Sequence, residues 1–255
     1  MRLFRYIIYI FTLIIFLKLI SKRKINIPKV IYKTGPLPYD ELTDDIKNIF
    51  KELEKQGYII EYFDDERCKS FIRKHFDIEV FNAWDKLIPG AYKADLFRYC
   101  VLYKNGGIYS DLSHNLRVPM RKIVNHYSDR LVLVKDIPIN EIPGIQISFM
   151  AASKGQNIFK MAIKAVIENC QKEYFGSNPL CPTGPALFHK ILTTEQSSDV
   201  RIELYQKTDY SLNFIESGKV AIITKRKTHQ ENLNNQPHYG ELWKTRNIYK
   251  SKFNF

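Results

Sequence analysis

The spacing of apolar and polar positions changes period several times along this chain, and each change marks an element. Residues 41–56 place Leu42, Ile46, Ile49, Phe50 and Leu53 on one stripe with charges opposite, and Gly57 follows. That spacing predicts an amphipathic helix. Ile27–Thr34, opened by Pro28, and Tyr58–Phe63 are short runs rich in β-branched and aromatic residues, and both read as strands. Strand, helix and strand with short connections predict a βαβ unit and hence parallel pairing. Asp64-Asp65 closes the second strand; such a pair serves as a helix N-cap or meets a ligand, the cap being the commoner use. Residues 66–89, with Trp84, read as one or two helices leaving at Pro89-Gly90.

The stretch from Ala91 to Pro119 organises the rest. Leu96, Tyr99, Cys100 and Tyr103 recur at helical spacing, predicting one buried helix face. Asp95 and Arg98, three residues apart, share a flank of that helix and can reach one ligand together. Asn105-Gly106-Gly107 ends the helix, since glycine accepts the left-handed conformation of a helix terminus. Ile108 and Tyr109 begin a strand, and Asp111 falls where it gives way to loop, the end of an open α/β sheet at which ligands bind. Further on, the pattern predicts a short helix after Pro119, strands at 131–134 and 144–150, and a helix over 158–173 capped by Asn157. Pro182-Thr183-Gly184-Pro185 then opens another helix, whose first N–H groups are either an anion site or an ordinary helix start.

Composition changes this picture mainly at the amino end. The chain has 255 residues, 45% hydrophobic and 26% charged, enough for a domain with a real core. Its net charge is +12, of which six positive charges lie in residues 1–24, leaving +6 on the remainder. That balance suits an anionic ligand, a membrane surface or simply a solvated lysine-rich exterior. Leu3–Ile20 is apolar apart from Arg5, Thr12 and Lys18, and as a helix it would span about 27 Å. We read residues 1–24 as an uncleaved transmembrane anchor with a basic stem, and 25–255 as the folded domain of a single-pass membrane protein. The Lys/Arg distribution leans towards a cytosolic domain. Cys68, Cys100, Cys170 and Cys181 lack metal-ligand spacing; Cys170 and Cys181 would pair in an oxidising compartment. There is no Asn-x-Ser/Thr sequon and no basic-aromatic motif for nucleic acid.

The run A-D-L-F-R-Y-C-V-L-Y-K-N-G-G-I-Y-S-D, Ala94 to Asp111, resembles the signature of nucleotide-sugar glycosyltransferases with the DXD motif, the group that includes mannosyltransferases and α1,4-glycosyltransferases. The opening I-P-K-V-I-Y-K-T resembles the family's first strand, with Tyr32 in place of its usual His. Phe149-Met150-Ala151, Thr183-Gly184-Pro185 and His238–Trp243 resemble further family segments. The match breaks at Ser113, where the family has its second Asp. The resemblance implies a GT-A-like (Rossmann-like) α/β fold, a mixed sheet flanked by helices, with a lumenal domain. It also implies a retaining, metal-assisted transfer from a nucleotide-sugar donor to a glycan or glycoconjugate acceptor.

In that reading Asp111, Asp95 and Arg98 are catalytic, and Tyr32, Tyr109, Thr183, Gly184 and Trp243 join Asp95 and Arg98 in binding substrate. A divalent metal would rest on Asp111, Ser113, His238 and Glu241, with His114 a further candidate. Manganese is expected over magnesium, because it accepts imidazole more readily. Two rivals remain: a sugar-nucleotide-binding or partner-regulating protein of the same fold without turnover, and a basic membrane-tethered scaffold or nucleic-acid-binding protein.

Overall fold

The computed structural model describes residues 26–138, 141–195, 199–224 and 237–251. Strand β1 (Val30–Thr34) pairs in parallel with β2 (Ile59–Phe63), and the expected amphipathic helix α1 (Asp44–Lys55) crosses between them. Helices α2 (Asp65–His75) and α3 (Ile78–Lys86) follow, the first capped by Asp64, whose carboxylate accepts from Arg67 N at 2.8 Å. The central helix α4 (Gly90–Asn105) leads into β3 (Gly107–Ser110), parallel to β1. After it come β4 (His114–Leu116), a 3-10 turn at Met120–Lys122, β5 (Leu131–Lys135), β6 (Ile145–Ala152), α5 (Asn157–Gln171) and α6 (Pro185–Thr194). Strands β7 (Val200–Gln206), β8 (Leu212–Phe214) and β9 (Val220–Thr224) and the short helix α7 (Tyr239–Lys244) complete the order.

All the strands form one sheet in the order β2-β1-β3-β6-β5-β7-β8-β9-β4. Parallel pairing holds for β1–β2, β1–β3 and β5–β7, whereas β6 runs against both β3 and β5. The sheet is therefore mixed, and the carboxyl ends of β1, β3, β5 and β7 share one edge. Its curvature follows from chain length. Six inter-strand steps of about 4.8 Å would set β4 roughly 29 Å from β3 in a flat sheet, yet the link of Asp111, Leu112 and Ser113 reaches at most roughly 14 Å. The sheet must curl until β4 returns beside β3, which it does: His114 Nδ1 and Ser110 Oγ lie 3.2 Å apart.

Each face carries its own core. Helices α2 to α6 pack on one face through residues such as Phe63, Trp84, Phe97, Tyr99, Phe159 and Phe188, while α1 and the turn after Pro119 cover the other. Helix α4 departs from the one-sided burial its spacing predicts. Leu96, Phe97, Tyr99, Cys100, Val101 and Leu102 are all fully enclosed, because the helix lies between the sheet and its neighbours. Asn157 is the first residue of α5, not its cap, and its side chain donates to Glu195 Oε1 at 2.8 Å. Cys170 and Cys181 are not bridged; all four cysteines are free thiols.

The expected transmembrane helix, and with it the single-pass membrane localisation and membrane partner, is corrected. Among the described residues no helix is long and apolar enough to cross a membrane. Leu3–Ile20, on which that expectation was built, lies outside the described residues.

Candidate active site

The joint between α4 and β3 sets the site. Gly106 ends the helix at φ +68°, its N–H bonded to Leu102 O at 2.9 Å, and Gly107 follows at φ +108°. A Cβ on Gly106 would stand 2.6 Å from Lys154 N, and one on Gly107 2.9 Å from Val30 O. Only glycine lets the chain reverse so tightly against β1 and β6. The reversal lays β3 back along the helix, which brings Tyr109 under Arg98 with the guanidinium carbon 4.4 Å from the ring centre.

Arg98 is held from all sides. Its Nη1 donates to Ile147 O at 2.8 Å and its Nε to Ala94 O at 3.2 Å, while Nη2 lies 3.4 Å from Asp95 Oδ1 and 3.7 Å from Asp111 Oδ1. Burial opposes its charge, but Tyr109, Asp95 and Asp111 outweigh that and push its pKa upwards, so the guanidinium is a permanent cation. Asp95 is 8% exposed. Burial raises its carboxyl to about 6, against the opposing pull of Arg98 and of Thr183, whose hydroxyl donates to Asp95 Oδ2 at 2.7 Å. Gly184, the N-cap of α6, sits so near that a Cβ there would approach Asp95 Oδ2 to 3.4 Å. Five sequence-predicted residues, Asp95, Arg98, Asp111, Thr183 and Gly184, thus converge at the carboxyl edge of the sheet. Within this group the Asp111 side chain is 40% exposed, the acid most open to a ligand.

Behind the loop lies a group that the motif reading missed. Lys33 is fully buried on β1, and its ammonium donates to Asp111 O at 2.9 Å and to Ser110 O and Oγ at 3.4 Å. Burial lowers it to about 7, with Asp111 acting the other way. A lysine inside an apolar strand of alternating large residues was the available signal, since buried lysines need acceptors. His114 points inward too; burial lowers it to about 4, although Asp111 acts in the opposite sense.

The remaining expectations separate. Tyr32 is 4% exposed, with its ring packed towards Phe63 and Gly107, so it is a core side chain and no face is open for stacking on a base. Tyr109 is buried, and its hydroxyl is hydrogen-bonded to Thr34 at 2.8 Å; it holds Arg98. Trp243 spends its indole N–H on Phe175 O at 2.7 Å. His238 caps α7, its Nδ1 accepting from Gly240 N at 3.2 Å, and Glu241 lies in the first turn of that helix. Among the described residues no three His, Cys, Asp or Glu side chains are placed to hold a metal ion. Asp111, His238 and Glu241 are therefore not gathered into one donor set. Ser113 adds only a neutral hydroxyl, and the cation paired with the Asp111 carboxylate is Arg98, at 3.7 Å. The described residues do not form a metal cage. A separate cavity of about 630 Å³, lined by Lys29, Tyr58, Arg121 and His126 among others, opens at the opposite, amino end of β1 and β2 and contains no carboxylate.

A curled α/β sheet with an acid–arginine–acid cluster at its carboxyl edge suits a ligand bearing both hydroxyls and phosphates. Residues 40–129, which include Asp95, Arg98, Tyr109 and Asp111, match the glycosyltransferase sugar-binding region containing the DXD motif, and the sequence resemblance is borne out there. The chain is 30% identical over 88 residues to an uncharacterized glycosyltransferase, L373, of Acanthamoeba polyphaga mimivirus, covering 34% of this chain and 35% of that protein. It is 30% identical over 104 residues to the initiation-specific alpha-1,6-mannosyltransferase of Schizosaccharomyces pombe, covering 39% and 25%. The matches thus span about a third and a quarter of these relatives' lengths. Among solved structures it is similar to PaToxG glycosyltransferase, with a TM-score of 0.45 and 17% identity over 67% of this chain and 70% of that one, too slight a likeness to carry weight. The family match and the named relatives support an enzyme of the glycosyltransferase class. Families with the DXD motif typically use a divalent metal; nothing in the donor set here selects manganese or magnesium.

Proposed function

We propose that this protein is a glycosyltransferase that moves a sugar from a nucleotide-sugar donor to a glycan or glycoconjugate acceptor. The observation that carries this reading is the Arg98 guanidinium fixed between Asp95 and Asp111, within the matched region and beside the amino end of α6. The departing diphosphate needs positive charge in a site that excludes water. Arg98 supplies it in a fixed orientation, having spent Nε and Nη1 on backbone carbonyls. The first-turn N–H groups of α6 add the partial positive charge of a helix terminus. Asp95, ionised at neutral pH and pinned by Thr183, is suited to grip sugar hydroxyls, and Asp111 presents its carboxylate to the same ligand. Lys33 anchors the carbonyls of that loop from behind. Retention of configuration is what the family resemblance implies.

Ser113 favours a second reading, a protein that binds nucleotide sugar without turning it over. A panel of nucleotide sugars incubated with the purified chain, with manganese, with magnesium and with chelator, separates the two. Hydrolysis or transfer of one donor, abolished in Asp111→Asn, is the expected result. Binding without hydrolysis under every condition selects the second reading, and absence of binding overturns both.

A further inference from the structure

Two strands away from Asp111, the same edge of the sheet carries a carboxylate that the cluster does not use. Asp136 follows β5 and is 9% exposed. Its Oδ1 accepts from Ile137 N at 2.8 Å and from Gln206 Nε2 at 3.1 Å; among the described residues no donor reaches Oδ2. Gln206 Oε1 in turn accepts from Gln146 Nε2, whose own Oε1 accepts from Ser148 N at 2.9 Å. Ser148 O receives the Asp111 N–H at 2.8 Å. A continuous hydrogen-bonded chain therefore runs from the backbone of Asp111 to the carboxylate of Asp136, through side chains from β6 and β7. Gly144 matters as well. A Cβ there would press to 3.2 Å from Asp136 Cβ and 3.4 Å from Oδ2, and to 3.3 Å from Pro185 at the start of α6.

We infer that Asp136, oriented by Gln206 and Gln146, is a binding group for a hydroxyl of a sugar acceptor, distinct from the donor cluster at Asp95, Arg98 and Asp111. The inference rests on the proposed function for the word acceptor, though not for the binding itself. The rest of the carboxylate is enclosed and held by Ile137 and Gln206, so Oδ2 is left free to accept, and a neutral hydroxyl is the partner that satisfies it without bringing in a second charge. Burial already raises this carboxyl to about 6, against the hydrogen bond from Ile137, so it is ionised at neutral pH yet poorly solvated. Placement agrees with the assignment. β3 and β5 are separated only by β6, so the two acids stand on the order of 10 Å apart, close enough for neighbouring sugars and too far for one hydroxyl.

The test uses the full chain loaded with UDP or GDP. Saturation-transfer NMR measures binding of the methyl glycosides of mannose, glucose and galactose to wild type, Asp136→Asn and Gln206→Ala. Asp136→Asn keeps the Oδ1 acceptor for Ile137 and Gln206 but replaces Oδ2 by a donor. At least one glycoside should bind the wild type and lose about tenfold or more in Asp136→Asn, the loss expected for one hydrogen bond to a charged group. Gln206→Ala should show a smaller loss, and nucleotide affinity should be unchanged in both. Unchanged glycoside binding in Asp136→Asn, a parallel fall in nucleotide affinity, or no glycoside bound by the wild type overturns the inference. A wild type that binds glycoside through Asp136 but no nucleotide instead overturns the proposed function and leaves this subsite standing.

Discussion

Individual charges in this protein are defined by what buries them. Arg98→Ala would strand the Asp95 carboxylate in the interior and should cost about 3–5 kcal/mol of stability, read by urea unfolding. Adding Asp95→Asn should return part of that loss, and donor binding should show the same non-additivity, since one ligand couples the pair. Strictly additive losses would separate the two residues. Asp136 gives a pH signature of the opposite kind. Its carboxyl rises from 3.8 to about 6 on folding, which corresponds to roughly 3 kcal/mol. A raised folded pKa leaves stability intact below 3.8 and erodes it as pH climbs through about 6. Asp136→Asn should therefore match wild type near pH 3.5 and exceed it at pH 7, as denaturant unfolding at both pH values would report. Ser113→Asp tests the loop's missing acid: manganese titration followed by paramagnetic resonance should show weak binding to wild type and tighter binding to the variant. Equal affinity in wild type, Ser113→Asp and Asp111→Asn would remove the metal from this loop.

At the scale of elements, the α4–β3 joint is the point where a small change does most damage. Gly57, at φ +82° with open space around it, is a useful control. Gly57→Ala should cost only the strain of a left-handed residue, about 1–2 kcal/mol. Gly106→Ala also places a side chain at positive φ, here with ψ −171°, a region almost confined to glycine, and drives its Cβ into Lys154 N of the segment after β6. It should be markedly less stable than Gly57→Ala in parallel denaturant titrations, and donor binding should fall with it, because the joint holds Tyr109 beneath Arg98. Equal destabilisation would mean that the close approach of β6 relaxes at little cost.

For the whole molecule, the curl of the nine-stranded sheet is what places both ends of the Asp111–His114 loop in one wall. That wall is closed without covalent ties, since the four cysteines are free and three of them are buried. Thermal unfolding should accordingly give the same midpoint with and without reductant; a drop on reduction would show a bridge.

The helical and strand periods, the Gly-Gly turn and the spacing of Asp95, Arg98 and Asp111 were legible in the residues, because they express local geometry and a helix-to-strand motif confined to a short stretch. The return of β4 to β3 was not, since it depends on β7 and β9 pairing with β5 and β4 across long separations. Nor was the full enclosure of α4: its apolar stripe is visible in sequence, but whether its remaining faces are covered depends on which helices pack there. The fate of polar residues was decided in the same way. Tyr32 reads equally as a base-stacking or a core residue until Phe63 and Gly107 enclose it. Lys33 reads as an ordinary charge until the carbonyls of a distant loop accept from it. Asp136, Gln146 and Gln206 lie far apart along the chain and form no motif, so only the shared edge of a mixed sheet could bring them together.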